Sequence, residues 1–303
     1  RISGNANTYT GGTNIHAGAV QVTATSGTPL GSGPVNINPA TALRIANNGS
    51  LAGTTTVNLN TNFNSLPALV LDTDYNPGTG LNAKLKVNGG FDAALLLAVP
   101  EWNSSLNMAD IGNGKLFLGG YIGATEVQYV APTLGVGAND TYRIGGNGGN
   151  LAFVGPDNVL TGTARLLVGS TLNNLNNGAL SNSSSLVMIR NSNNFSGGTS
   201  VSKGMTLQLD IGAGGQTPLG SGDVEVFGAL RLVTPPHYSG AASFYNPVTN
   251  TNANNIILRP GGSIRIFDQR GTVVDGQGRW GDAIGQDLNG GEFRFDGITN
   301  APS

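Results

Sequence analysis

The sequence contains no cysteine among its 303 residues. A disulfide framework, a thiolate metal site and a cysteine nucleophile are therefore excluded. Charged residues make up only 11% of the chain, less than half of the roughly 25% that is usual in soluble domains. Because disordered chains usually combine high charge with low hydrophobicity, this composition favours a folded chain.

Basic residues and long apolar runs are also scarce. The 15 Lys and Arg residues are scattered, and the formal net charge is −2. This pattern provides neither the basic patch of a nucleic-acid-binding protein nor a polybasic stretch for anionic lipid. The best apolar run, Ala93 to Val99, has the length of a buried strand and is far shorter than the ~18 residues of a membrane span. We predict no nucleic-acid partner and no membrane insertion by this segment.

What the chain does have is glycine and short alternating strands. Its 48 glycines are about twice the usual share. Apolar-x-apolar triplets such as Val20–Val22, Leu43–Ile45 and Leu69–Leu71 recur throughout. Alternation with a period of two is the strand signature, with the outer residues inward and the middle residue towards solvent. Clusters of Gly, Asn, Ser and Pro separate the triplets and favour turns, so we predict an all-β protein.

A phrase of four parts occurs twice in the chain, in the same order, with an offset that drifts only between 186 and 189 residues. The parts of the first copy are Tyr9–Ile15, Val20–Val22, Thr28–Gly33 and Ala42–Ile45, and those of the second are Phe195–Val201, Leu207–Leu209, Thr217–Gly222 and Ala229–Leu232. Internal repetition of this kind indicates a repeat architecture, in which each unit buries its apolar face against its neighbours.

Many short strands would also suit a sandwich or a barrel. Two features favour a parallel β-helix: the matched Gly-Gly-Thr and Leu-Gly-Ser-Gly corners, and asparagines beside turns, such as Asn58, Asn60, Asn62 and Asn64. Like residues on successive rungs stack into hydrogen-bonded ladders. At roughly 20–25 residues per rung, we expect about 12–15 rungs.

We therefore predict one β-helical solenoid over residues 1–303 with irregular loop insertions. The stretch 234–255 lacks a clear apolar triplet and is predicted to be an extruded loop. Because the chain opens on Arg1, without an initiator Met or a signal peptide, we expect it to be a segment of a longer protein.

The repeated phrase resembles a known family repeat. Asn7–Thr13, followed by Gly18–Val22 and Leu30–Gly33, resembles the passenger-associated transport repeat of bacterial autotransporter passengers. Asn194–Thr199 with Leu219–Gly222 reads as a second copy. The resemblance implies a right-handed parallel β-helix displayed outside a Gram-negative-type cell. It implies no particular activity, because such proteins range from adhesins to scaffolds that carry separate enzymes.

Carboxylates are the first candidates for a catalytic or calcium site. Asp72 and Asp74 lie on one face of a strand, as a glycosidase pair or a calcium site requires, but a strand end with turn-forming Asp is the favoured interpretation. A later acidic set, favoured as solvated turns, comprises Asp268, Asp275, Asp282, Asp287 and Asp296. The alternatives to a structural protein are a polysaccharide-active enzyme and a calcium-stabilised glycan-binding module.

Other signs of catalysis are weak. His16 is expected at the surface, and His237 lies 221 residues further along, in the irregular stretch. No Ser-His-Asp grouping suggests itself, and the glycine-rich Gly145–Gly149 lacks the lysine and the helix of a phosphate loop. We predict no catalytic, cofactor-binding or metal-binding residue and no enzymatic activity.

Aromatic residues near the C-terminal end are the candidates for ligand or partner contact. They offer stacking faces for sugars or an apolar patch for a partner, although packing onto the rod is the favoured interpretation. These candidates are Tyr238, Phe244, Tyr245 and Trp280.

The sequence as a whole predicts an extracellular structural or adhesive surface protein, with itself and surface glycans as candidate partners. Strand-like phrases run to both termini, at Arg1–Ser3 and Glu292–Phe295. An open rung leaves unpaired backbone groups that pair with another strand. Stacking of such rungs end to end would make the chain the protomer of a filament, and lateral association is a further form of self-assembly.

Overall fold

The chain forms a parallel β-solenoid in a computed structural model. The structure describes residues 1–62, 65–121, 126–145, 149–170, 186–210, 217–234, 245–246, 251–252, 255–268, 286–288 and 292–297. The strands within this part of the chain are β1 Thr13–Ile15, β2 Ala19–Val22, β3 Val35–Ile37, β4 Ala42–Ile45, β5 Val57–Asn60, β6 Ala68–Leu71, β7 Leu85–Asn88, β8 Ala93–Leu97, β9 Glu101–Trp102, β10 Leu106–Asn107, β11 Leu116–Gly120, β12 Val127–Tyr129, β13 Leu134–Gly135, β14 Thr141–Ile144, β15 Leu151–Phe153, β16 Arg165–Val168, β17 Leu186–Ile189, β18 Thr199–Val201, β19 Thr206–Asp210, β20 Val224–Val226, β21 Ala229–Thr234, β22 Tyr245–Asn246, β23 Thr251–Asn252, β24 Ile256–Leu258, β25 Ser263–Asp268, β26 Gln286–Leu288 and β27 Glu292–Gly297.

Helical structure is limited to short connecting pieces. They are the α-helix α1 Gly78–Asn82 and the 3-10 turns Asn48–Leu51, Met108–Asp110 and Gly112–Gly114. The all-β prediction is confirmed.

Three parallel sheets run along the rod. The long sheet has eleven strands in the order β2-β4-β6-β8-β11-β14-β16-β18-β20-β24-β26. The eight-stranded sheet has the order β9-β12-β15-β17-β19-β21-β25-β27, and the four-stranded sheet has β1-β3-β5-β7. A further parallel pair joins β10 to β13. Successive strands of one sheet come from successive rungs, which confirms the predicted parallel solenoid.

Some rungs have the predicted length, and others are longer. Asn14 and Asn36, on adjacent rungs, are 22 residues apart, whereas Gly169 and Ser202 are 33 residues apart. Because longer connections use more residues per rung, the long sheet has eleven strands within the described part of the chain, fewer than the expected 12–15 rungs.

The core is a narrow column of aliphatic side chains. One register line of the long sheet is fully buried from rung to rung and consists of Leu43, Leu69, Leu95, Leu118, Ile144, Val168, Val201, Val226 and Leu258. Burying each such side chain contributes about 1.5–3 kcal/mol, so stability accumulates along the axis through contacts between neighbouring rungs.

The outer face of the long sheet departs from simple alternation. Val70 and Leu96 are the middle residues of their triplets, yet both are completely buried. They form a second apolar cluster with Ala42, Ala68 and Ala94, against which Ala98 and Tyr121 pack. The expectation that the middle residue faces solvent is therefore wrong for these triplets, because this part of the sheet is covered on both faces.

The predicted loop 234–255 lies largely outside the described residues. Within it, β22 and β23 pair antiparallel, with Tyr245 opposite Asn252 and Asn246 opposite Thr251. The extruded loop stays a prediction.

Candidate functional site: the repeated corner

The repeated phrase builds a tight corner at the start of the solenoid. The Gly31 N–H donates to the Thr28 carbonyl at 3.0 Å, and the Ser32 N–H donates to the Tyr9 carbonyl of the preceding rung at 3.1 Å. Gly31 has a φ of 67°, and a Cβ on it would lie 2.3 Å from the Tyr9 carbonyl oxygen. The corner therefore requires glycine both for its left-handed backbone and for the close approach of two rungs.

The second copy builds the same corner. The Gly220 N–H donates to the Thr217 carbonyl at 3.1 Å, and the Ser221 N–H donates to the Phe195 carbonyl at 2.9 Å. Gly220 has a φ of 56°, and its Cβ would lie 2.0 Å from the Phe195 carbonyl oxygen. The prediction that these corners occupy matched places between strands is confirmed.

An asparagine clamps each corner to the rung before it. The Nδ2 groups of Asn7 and Asn193 donate to the proline carbonyl of the facing Thr-Pro-Leu-Gly segment, at 2.6 and 3.0 Å respectively. The threonine hydroxyl of that segment donates back to the asparagine carbonyl, at 2.8 Å in the first copy and 3.2 Å in the second. Sequence reasoning missed this clamp, although an asparagine two residues before the aromatic residue in both copies was the available signal.

The two corners face different sheets. In the first copy β1 belongs to the four-stranded sheet and β2 to the long sheet. In the second copy β18 belongs to the long sheet and β19 to the eight-stranded sheet. The second copy therefore begins one sheet further round the solenoid, and the same backbone corner meets different neighbours.

A groove of about 320 Å³ opens at the second corner. Its lining includes Arg165, Ser196, Gly198, Gly222, Asp223 and Glu225. Each carboxylate is held by the rung that follows it: Asn255 Nδ2 donates to Asp223 Oδ1 at 2.9 Å, and Arg259 forms an ion pair with Glu225. We call this lined space the corner groove.

The charges of the corner groove belong to the second copy alone. The residue that precedes the paired valine is Asp223 in the second copy and Pro34 in the first, and Glu225 likewise corresponds to Asn36. The corner backbone is thus preserved while its wall side chains differ.

Polar ladders run along the outer face of the four-stranded sheet. Asn36 Nδ2 donates to Asn14 Oδ1 at 2.7 Å, and Asn58 Nδ2 donates to Asn36 Oδ1 at 2.8 Å. A parallel ladder joins Asn38, Asn60 and Asn88 at 3.2 and 3.3 Å. The predicted stacking of asparagines is confirmed for Asn58 and Asn60.

The sequence also predicts Asn62 and Asn64 beside turns and His16 at the surface. Asn62 Oδ1 accepts the Ser65 N–H at 3.0 Å and so fixes a turn, while Asn64 lies outside the described residues. His16 is exposed, as predicted, with its Nδ1 3.1 Å from Asn38 Nδ2.

Asp72 and Asp74 have separate structural contacts. Asp72 forms a salt bridge of 2.9 Å with Arg44. Asp74 accepts the backbone N–H groups of Asn103 and Ser104 at 2.8 and 3.1 Å. Desolvation raises the pKa of Asp74, but these hydrogen bonds to the carboxylate outweigh it and leave the pKa below its ordinary value. Both carboxylates tie one rung to another.

The aromatic candidates lie mostly outside the described residues. This holds for Tyr238, Phe244 and Trp280, while the backbone of Tyr245 belongs to β22. His237, Asp275 and Asp282 are likewise outside, and Asp268, Asp287 and Asp296 occupy strand positions on β25, β26 and β27. The prediction of turn positions is therefore wrong for Asp268, Asp287 and Asp296, whose backbone pairs in parallel strands. The roles predicted for the other residues stay predictions.

The described part of the chain contains neither a cluster of metal-ligating side chains nor a membrane-spanning helix. There, no three His, Asp or Glu side chains gather in a way that would hold a metal ion. None of the helices in that part is long and apolar enough to cross a bilayer.

Two segments of the chain match a known protein-family model. The model of the passenger-associated-transport-repeat matches residues 1–22 and 183–209. These ranges contain the Gly-Gly-Thr halves of both corners and end before the Thr-Pro-Leu-Gly halves. No curated protein and no solved structure matched the chain. The repeat and the β-solenoid together fit an autotransporter passenger β-helix, which implies a cell-surface or secreted protein.

Proposed function

We propose that this chain is a structural and adhesive shaft of an autotransporter-type surface protein and has no catalytic role of its own. The observation that carries the proposal is the corner built twice, with the same hydrogen bonds, beside the buried column that runs from Leu43 to Leu258. A solenoid of this kind forms through contacts between neighbouring rungs and holds whatever it carries away from the cell.

The adhesive part of the proposal rests on the outer surface. An asparagine amide has two N–H donors and two acceptor lone pairs, and each ladder bond uses one donor and one acceptor. The remaining donors and acceptors of Asn14, Asn36 and Asn58 are available to a partner such as a glycan. Many weak hydrogen bonds of this kind suit repeated contacts along a rod.

Surface display tests the shaft. The chain, placed between a secretion signal and a transporting barrel, should reach the surface of intact cells as a protease-resistant fragment. Displaying cells should also adhere to glycan-coated surfaces more than cells that display the barrel alone. A chain that stays inside, or is degraded completely once exposed, contradicts the shaft, and unchanged adhesion contradicts the adhesive role.

A polysaccharide-active enzyme is the second candidate, because two carboxylates and an arginine converge in the corner groove. We favour binding there, since Asn255 and Arg259 already engage Asp223 and Glu225. Incubation with a panel of polysaccharides and measurement of new reducing or unsaturated ends separates the two. Release that disappears in Asp223→Asn would establish the enzyme and overturn the binding proposal.

Self-association is a further candidate, favoured by one comparison between the copies. Phe195 is fully buried and packs against Tyr142, with ring centroids 6.4 Å apart, whereas its counterpart Tyr9 is 42% exposed. We propose that another rung covers Tyr9, supplied by a longer form of the chain or by a second copy.

Assembly measurements decide between these sources. If a second copy covers Tyr9, sedimentation should show association that grows with concentration and weakens in Tyr9→Asp, and electron microscopy should show rods joined end to end. The matched control is Phe91→Asp, since Phe91 is 41% exposed. A monomer at all concentrations, or equal effects of the two substitutions, rules out end-to-end stacking through Tyr9.

A further inference from the structure

Arg165 and Asp223, which have opposite charges, lie on either side of a glycine in the long sheet. We call the gap between their side chains the notch. Leu166 pairs with Thr199, and Thr199 pairs with Val224. The residues just before them, Arg165, Gly198 and Asp223, therefore follow one another on three successive rungs. Gly198 places no side chain between the arginine and the aspartate, whose strands are about 9.5 Å apart.

The backbone of the corner itself requires this glycine. Gly198 has a φ of 79°, and a Cβ on it would lie 2.7 Å from the Asp223 carbonyl oxygen. Gly222 lies beside it with a φ of 103°, and its Cβ would lie 2.8 Å from the Gly198 nitrogen. The floor of the notch is therefore backbone without side chains, with Gly198 buried, Gly222 half-buried and the flanking Arg165 and Asp223 exposed.

The walls retain hydrogen-bonding capacity. Among the described residues, no carboxylate lies within salt-bridge distance of Arg165. Asn255 occupies one oxygen of Asp223, and the other has no partner in the described part of the chain. Ser196 adds a hydroxyl at the rim, bonded at 3.3 Å to the Gly162 carbonyl.

The first copy shows that the corner does not need these charges. There Gly12, with a φ of 84°, faces Pro34, whose carbonyl oxygen would lie 2.4 Å from a Cβ on the glycine. The same floor is thus formed beside an uncharged, rigid wall. The charged walls of the second notch are dispensable for the backbone and available for another role.

We propose that the notch between Arg165 and Asp223 binds a sugar residue of a neutral glycan through two neighbouring hydroxyl groups. A guanidinium only donates hydrogen bonds and a carboxylate only accepts them, whereas a hydroxyl does both. An anionic ligand would face Asp223 and Glu225, and a cationic ligand would face Arg165. A neutral diol satisfies both walls, and this assignment names a site for the proposed adhesive function, on which it rests.

The test uses the 303-residue chain and three probes: the methyl glycosides of glucose, galactose and mannose, which present both cis and trans vicinal diols. NMR of the labelled protein follows the Arg165 Nε–H signal and the Gly198 amide signal during titration. We expect saturable shifts of both signals with at least one glycoside. Asp223→Asn and Arg165→Gln should each weaken that binding by about tenfold or more, since hydrogen bonds to charged groups are lost.

The matched control is Glu101→Gln, which removes an exposed carboxylate on β9 in the eight-stranded sheet and should leave binding to the notch unchanged. The circular dichroism spectrum and the Gly198 amide position of each free variant confirm that the corner has folded. No saturable shift with any of the three glycosides overturns the proposal, as does equal binding by the wild type and both notch variants. Saturation by methyl glucuronide or glucosamine alone would assign the notch to a charged ligand and also overturn it.

These outcomes stay separate from those of the shaft proposal. Surface display and protease resistance depend on the corners and the core, and they should be normal in Asp223→Asn. If no glycoside binds to the notch but the chain is displayed normally, the sugar-site proposal is wrong and the shaft proposal still stands.

Discussion

Tyr9 and Thr13 share a hydroxyl–hydroxyl hydrogen bond of 2.9 Å that the second copy cannot make. Phe195 stands where the first copy has Tyr9, and Thr199, the counterpart of Thr13, is only 4% exposed. Among the residues that the structure describes, none forms a hydrogen bond with the Thr199 hydroxyl. A buried hydroxyl without a partner costs about 1–3 kcal/mol, so the second copy carries a penalty that the first avoids.

Thr199→Val should therefore stabilise the protein by about 1 kcal/mol, because valine has nearly the same shape without the unpaired hydroxyl. Thr13→Val should lower the free energy of unfolding by up to about 1 kcal/mol, since it removes a satisfied, partly exposed hydrogen bond. Guanidinium denaturation of both variants provides the measurement. A loss of stability in Thr199→Val would mean that its hydroxyl has a partner after all.

The corner glycines should be far more sensitive than glycines in open turns. Gly220→Ala places a Cβ 2.0 Å from the Phe195 carbonyl oxygen at a φ of 56°, so we expect a loss of about 2–4 kcal/mol. Gly11→Ala is the matched control, because Gly11 has no atom within 4 Å of its Cβ position. Thermal unfolding of the two variants should show a large loss for the first and almost none for the second. Similar losses would contradict the steric argument.

The corners were predictable from the sequence because their chemistry is local. Glycine supplies the left-handed φ, and the Thr-Pro-Leu-Gly segment repeats with its partners within one rung. The asparagine ladders were predictable for a similar reason, since Asn36 and Asn58 are spaced by one rung. Turn residues and near-neighbour stacking thus determined much of the fold class.

The displacement of the second copy by one sheet could not be predicted. It depends on the total length of all the connections between β2 and β18, and no local sequence pattern indicates that total. The notch has the same origin: Arg165 and Asp223 lie on either side of Gly198 only because two rungs of unequal length bring Leu166, Thr199 and Val224 into register. Long-range register of this kind leaves no local sequence pattern.

Leu95 and Leu96 distinguish simple alternation from the observed two-sided burial. Alternation alone makes Leu95 a core residue and Leu96 a solvent-facing residue with little effect on stability. Both are fully buried, so Leu95→Ala and Leu96→Ala should each cost about 2–5 kcal/mol. Denaturant unfolding of the two variants tests this directly. A Leu96→Ala variant as stable as the wild type would show that the outer cluster contributes nothing.

The Asp74 carboxylate should make stability depend on acid pH. Its pKa is lowered in the folded chain from an ordinary value of 3.8, because hydrogen bonds from Asn103 and Ser104 outweigh burial. A depressed folded-state pKa contributes stability that is fully present above the ordinary value and is lost as the pH falls through the folded value. Asp74→Asn should therefore be less stable than the wild type at pH 7, and the difference should shrink as the pH falls below 3.8.

Urea denaturation of both proteins at a series of pH values measures this difference. Glu101→Gln, which removes an exposed carboxylate on β9, is the control for the general effect of losing one negative charge. If the gap between Asp74→Asn and the wild type stayed constant from neutral to acid pH, the carboxylate charge would not be what holds Asn103 and Ser104. The hydrogen bonds from Asn103 and Ser104 would then stabilise the rung equally well with a neutral acceptor.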